Sequence, residues 1–131
     1  MIKTLIAGFA LSSMMILTPA AALPFSKATQ YLIKQEIQNG CQDGKGTIAE
    51  QGVIERDLNG DGGLDLILSH EAISCAGTSF RSLLCGMQVC TIQFYVRQDG
   101  LLQLVEEFLE RKAFFVESDF TVARLQLARK I

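Results

Sequence analysis

A single histidine serves all 131 residues, and no C-x-x-C pair occurs among the four cysteines. Both absences argue against zinc, whose structural sites draw on closely spaced cysteine and histidine ligands. Cys85 and Cys90 stand too far apart for a thioredoxin-like redox centre. No G-x-S-x-G element or comparable nucleophile signature is present. The 12 basic side chains do not outnumber the 14 acidic ones. No basic stripe stands out, so nucleic acid and anionic membranes are poor candidate partners. After the first 22 residues there is no second long apolar run, so no membrane span is expected in the rest of the chain. Internal repeats and low-complexity tracts are also missing.

What is present begins with "MIKTLIAGFALSSMMILTPAAA". Lys3 is followed by an apolar run from Leu5 to Leu17 and then by Pro19 and Ala20-Ala21-Ala22. This is the three-part layout of a secretory signal peptide, so residues 1–22 are read as a cleaved leader and 23–131 as one exported domain. The expected location is periplasmic or secreted. Cys41, Cys75, Cys85 and Cys90 all follow the cleavage point. An even count in an exported chain predicts two disulfides. Four cysteines allow three pairings. The favoured one joins Cys85 to Cys90 around "CGMQVC", and Cys41 to Cys75 between the end of the first helix and the middle of the fold.

The remainder predicts an α+β domain, with an N-terminal helix packed on a small antiparallel sheet. Residues 25–38 carry helical spacing, with Phe25, Ala28, Tyr31, Leu32, Gln35 and Ile37 as the inner stripe. Ser26 is the N-cap, and Asn39-Gly40 the stop. Residues 41–51 read as a loop. "GVIERD" and "LDLILSH" read as strands, the second apolar on both faces. Residues 72–88 show no sustained period. "CTIQFYVR" alternates as a strand, Asp99-Gly100 is a hairpin turn, and 101–107 is read as the returning strand. "FTVARLQLA" is expected to close the chain as a strand, with Val122, Leu125 and Leu127 in the core.

The densest chemistry lies in "RDLNGDGGLDLILSH". Numbered from Asp57, side-chain oxygens fall at positions one, three, five and nine: Asp57, Asn59, Asp61 and Asp65. Gly62 at position six permits a sharp bend, and the Gly63 carbonyl is available at position seven. A hard divalent cation wants six to eight oxygens, and this spacing would curl them round one point. An EF-hand would place a glutamate at position twelve, which here is Leu68, and its flanks would be helices. The turn instead resembles the strand–loop–strand calcium loops of FG-GAP and VCBS-type repeats, as in integrin propeller blades. That resemblance implies calcium held by Asp57, Asn59, Asp61, Asp65 and the Gly63 carbonyl. It covers about a dozen residues, and one copy builds no propeller. The wider layout resembles small exported bacterial proteins, a similarity that implies no activity.

The remaining candidates read as structural. His70-Glu71 lies at a strand end, and Glu106, Glu107 and Glu110 read as a solvated face. Arg81 sits in the cysteine-rich connection. The expectation is a non-enzymatic, calcium-binding, disulfide-stabilised binding or structural module, with a protein or envelope partner. The alternative is a periplasmic inhibitor of a hydrolase acting through the loop 76–89.

Overall fold

A computed structural model of the chain describes residues 24–77 and 80–129. The expected leader at 1–22 lies outside them. Helix α1 spans Lys27–Gly40 and helix α2 Glu117–Ala128. The strands are β1 Gly46–Ile48, β2 Val53–Arg56, β3 Asp65–Ser69, β4 Ile73–Cys75, β5 Cys90–Gln98 and β6 Leu101–Glu110. Strands β2-β3-β5-β6 form a four-stranded antiparallel sheet in that order, and β1 pairs with β4 in a separate two-stranded ladder. The fold is therefore α+β. Among the described residues no helix is long and apolar enough to cross a membrane.

The central sheet is covered on both faces. Leu66 pairs with Tyr95, and Leu68 with Gln93. The apolar members of this set pack with Val53 and with Ile33 of α1. On the other face Ile67, Ile92, Phe94 and Val96 pack with Ala123 and Leu127 of α2. Every residue of β3 is buried, which is why its apolar content exceeds simple alternation. Burying a side chain of this size contributes about 1.5–3 kcal/mol, so the two faces of β3 supply much of the driving force.

Two expectations change here. The segment expected as a final strand is helix α2. Ala123 and Leu127 are its buried residues and Phe120 is partly buried, a helical spacing, while Val122 and Leu125 are exposed. Asp119 accepts from the Val116 N–H at 2.8 Å and pairs with Lys112, which fixes the start of this helix. The inner stripe of α1 is also rotated. Thr29, Ile33, Glu36 and Gly40 are buried, while Tyr31 and Gln35 face solvent; Phe25, Leu32 and Ile37 pack at the margin. Ser26 caps this helix as expected, accepting from the Thr29 N–H.

The cysteine pairing is the favoured one. Cys41–Cys75 ties the end of α1 to β4, and Cys85–Cys90 closes the loop before β5. Residues 46–48, expected within a loop, instead form β1 against β4. The return strand β6 runs three residues beyond its expected end. Asp99 and Gly100 form the turn, both with positive φ, as a tight hairpin requires.

Candidate metal centre

The aspartate turn joins β2 to β3, and its geometry is made locally. Asp57 accepts backbone N–H bonds from Gly60 and Gly62, both at 2.8 Å. Asn59 Oδ1 accepts from Asp61 N, and Asp61 Oδ1 from Gly63 N. Gly60 and Gly62 take φ of +80° and +85°, conformations that a side chain would strain. Asp65, the first residue of β3, is fully buried. One of its oxygens accepts from Leu58 N at 2.8 Å and the other from Arg97 N at 2.9 Å. This carboxylate thus staples the turn to β5.

Asp57, Asp61 and Asp65 each offer one oxygen, and these three atoms lie within 4.8 Å of one another. Two oxygens each about 2.4 Å from a calcium-sized ion can be at most about 4.8 Å apart, so the cluster can share one cation. A carboxylate oxygen that accepts an amide N–H keeps a further lone pair for an ion. The donors are all oxygen, which suits a hard cation and not zinc or copper(I). The N–H groups, led by that of Gly62, hold the Asp57 carboxyl below its ordinary range and keep it charged.

An ion is not required to account for Asp57 and Asp65, because the turn itself uses both. What the turn leaves unneutralised is the convergence of charge. Arg97 is one nearby cation, and its guanidinium is directed to the carbonyls of Leu64 and Gly100.

A second cluster, missed in the sequence, lies under α1. The His70 ring is fully buried. Its Nδ1 meets Ser82 Oγ at 2.8 Å, and its Nε2 meets Glu36 Oε2 at 3.0 Å and Gln93 Oε1 at 3.2 Å. The two oxygens around Nε2 require a proton there, and Ser82, which already accepts from Leu84 N, completes the ring's bonding. Tyr95 donates to Glu36 Oε1, and Gln93 Nε2 donates to Glu107. Burial pushes the Glu36 carboxyl up, but the His70 hydrogen bond and charge outweigh it, with smaller help from Gln93 and Tyr95, and the net direction is down. Burial, followed by the Glu36 charge, pushes the Tyr95 hydroxyl up, so it remains a donor.

This serine–histidine–glutamate row has the connectivity of a nucleophilic relay but not the access. Ser82 is 2% exposed, and a Cβ placed on Gly40 would come within 2.4 Å of its Oγ. His70, expected at a strand end, follows β3 directly and is held by buried bonds on both ring nitrogens. Glu71, its neighbour in sequence, lies 3.9 Å from Arg81. Glu36 could have been suspected only from its place among the buried positions of α1, since its partner is 34 residues away.

No protein-family model matches the chain, and no curated protein or solved structure matches it either.

Proposed function

We propose that the protein is an exported, non-enzymatic module in which calcium, bound at the β2–β3 turn, fixes that end of the sheet. The observation that carries this reading is the convergence of Asp57, Asp61 and Asp65 within 4.8 Å. Asn59 and the Gly63 carbonyl complete the donor set by their spacing, in keeping with the resemblance to FG-GAP and VCBS-type loops. An oxygen donor set of this size suits calcium, whereas magnesium prefers a stricter octahedron that retains several waters. The lack of a bidentate ligand at Leu68 sets the expected dissociation constant at about 0.1–1 mM, the range of extracellular modules. The two disulfides agree with an oxidising compartment, and the apolar N-terminal segment with export.

Isothermal titration calorimetry with calcium tests the reading. Heat of binding is expected for the native protein and none for Asp61→Ala, whose side chain makes only a turn contact and is exposed. A native protein that takes up no calcium at ten millimolar would refute it.

One observation favours a second reading, inhibition of a hydrolase through the loop 76–89. Phe80, Leu83 and Met87 are 74%, 62% and 97% exposed. Arg81 donates to the carbonyls of Gly86 and Met87 across the Cys85–Cys90 closure and stiffens this part of the loop. A stiff apolar loop loses little entropy on binding. Loss of hydrolase inhibition in Met87→Ser, with calcium uptake intact, would assign the activity to the loop.

A further inference from the structure

The two disulfides sit in different surroundings. Cys41 and Cys75 are both buried and belong to the core under α1. Cys90 is fully buried at the start of β5. Of the four cysteines only Cys85 is partly open to solvent, and its neighbours Leu84, Gly86, Met87 and Gln88 are exposed. A nucleophile from outside therefore meets these bonds first at Cys85 Sγ.

A cation lies against the other sulfur. Arg81 Nη2 donates to Cys90 Sγ at 3.2 Å, while its Nη1 donates to the Gly86 and Met87 carbonyls and fixes the guanidinium in place. Glu71 Oε1 lies 3.9 Å from the same Nη2 and offsets part of its charge. A positive group beside a sulfur favours its thiolate, and a more stable thiolate leaves faster in disulfide exchange. The spacing excludes C-x-x-C chemistry, but Arg81 supplies to Cys90 what that motif obtains by other means.

We propose that Cys85–Cys90 is a thiol-exchange site, at which an external thiolate attacks Cys85 and Arg81 holds the departing Cys90 thiolate. The incoming sulfur forms a bond to Cys85 Sγ as the Cys85–Cys90 bond breaks, and the electron pair leaves on Cys90 Sγ. The product is a mixed disulfide at Cys85. A second thiolate attacks the outer sulfur of that mixed disulfide and releases Cys85. Two external thiols are thereby oxidised to one disulfide, and the protein disulfide is reduced to two thiols, which take up the two protons. The loop keeps its shape through the cycle. Cys85 and Cys90 face each other as a bridge, and Gly86 N donates to the Val89 carbonyl at 2.7 Å. Thr91 donates to the Leu84 carbonyl through its N–H and its Oγ1, and Arg111 to that of Gln88. These bonds keep the two sulfurs adjacent, so reclosure remains intramolecular while Cys41–Cys75 holds the core.

The oxidised full-chain product, treated with glutathione at neutral pH, quenched with acid and mapped by mass spectrometry, tests the proposal. Cys85–Cys90 is expected to open about tenfold or more faster than Cys41–Cys75, with the glutathione adduct on Cys85. Arg81→Met separates a leaving-group role from a structural one. Loss of its bonds to Gly86 and Met87 alone would loosen the loop and speed attack, whereas loss of the cation slows it. Opening about threefold or more slower than in the native protein is expected, with unchanged circular dichroism, and Arg81→Lys should recover part of the rate. A thioredoxin-type dithiol protein at equal thiol concentration identifies the source of the thiolate: faster opening than with glutathione assigns a protein thiol, slower opening a small one. Opening of Cys41–Cys75 first or at the same rate overturns the proposal. So does an adduct on Cys90, or an Arg81→Met rate that is unchanged or raised.

Discussion

Replacing Glu36 by glutamine is expected to destabilise the protein by about 1.5–3 kcal/mol at neutral pH, the loss of a charged, buried hydrogen-bond acceptor. The carboxylate accepts from His70 Nε2 through one oxygen and from the Tyr95 hydroxyl through the other. Glutamine keeps the volume but offers only one oxygen, which His70 takes, and its NH₂ then meets the Tyr95 hydroxyl, whose proton must turn to Gln93 Oε1 at 3.2 Å; the carboxylate charge is lost from both contacts. Both are buried, and water cannot substitute without opening α1. Against a typical domain stability of about 5–15 kcal/mol, the loss is large. Urea unfolding followed by far-ultraviolet circular dichroism reads it as a midpoint lowered by about 1–2 M. The same variant tests the pH dependence. The folded state holds the Glu36 carboxyl below its usual value near 4.5. The unfolded chain therefore takes up its proton first as pH falls. The stabilisation is complete above the unfolded value and is lost as pH drops through the lowered folded one. The native protein should show this acid limb, and Glu36→Gln should lack that component. A midpoint shift too small to measure at neutral pH, or an unchanged acid limb, would refute the assigned bonding.

Other perturbations separate the remaining elements. Gly40→Ala places a methyl 2.4 Å from Ser82 Oγ and should cost about 1–3 kcal/mol by overpacking, measurable by the same unfolding curves. Removing the Cys41–Cys75 link, which spans 34 residues, should cost about 4 kcal/mol by chain entropy. Removing Cys85–Cys90, which spans 5, should cost about 2 kcal/mol, so calorimetric melting should rank the two double-serine variants in that order. On α2, Leu127→Ala should lose about 2–5 kcal/mol. Exposed Leu125→Lys should stay within about 0.5 kcal/mol. Equal losses at the two positions would contradict the helix and favour a strand.

What was legible in the sequence is what is local. The aspartate turn could be read because its oxygens and glycines alternate within nine residues and no distant partner is needed to shape it. Strand β5 and the Asp99-Gly100 turn were likewise legible, since a two-residue period and a hairpin dipeptide are short-range signals. The disulfides followed from a short spacing and from the only pair then left. Helix α2 was misread because small Ala123 takes an inward position, while Val122 and Leu125 point to water. Apolar content there misled, and only the facing surface of Ile67 and Phe94 decides which residues turn inward. The stripe of α1 was misplaced for a related reason. A glutamate reads as solvated unless its histidine is known to be opposite, and that histidine belongs to another part of the fold. The β1–β4 ladder has three residues per strand and joins distant segments, too little pattern to register.

The double grip of Asp65 has a mechanical consequence. Its two oxygens clasp Leu58 at the root of one hairpin tip and Arg97 near the root of another, while Arg97 reaches on to the carbonyls of Leu64 and Gly100. The two tips at that end of the molecule are coupled like arms on one axle. A force or ligand that displaces either arm turns the other with it, and relaxation measurements on Gly60 and Gly100 should report the same rhythm.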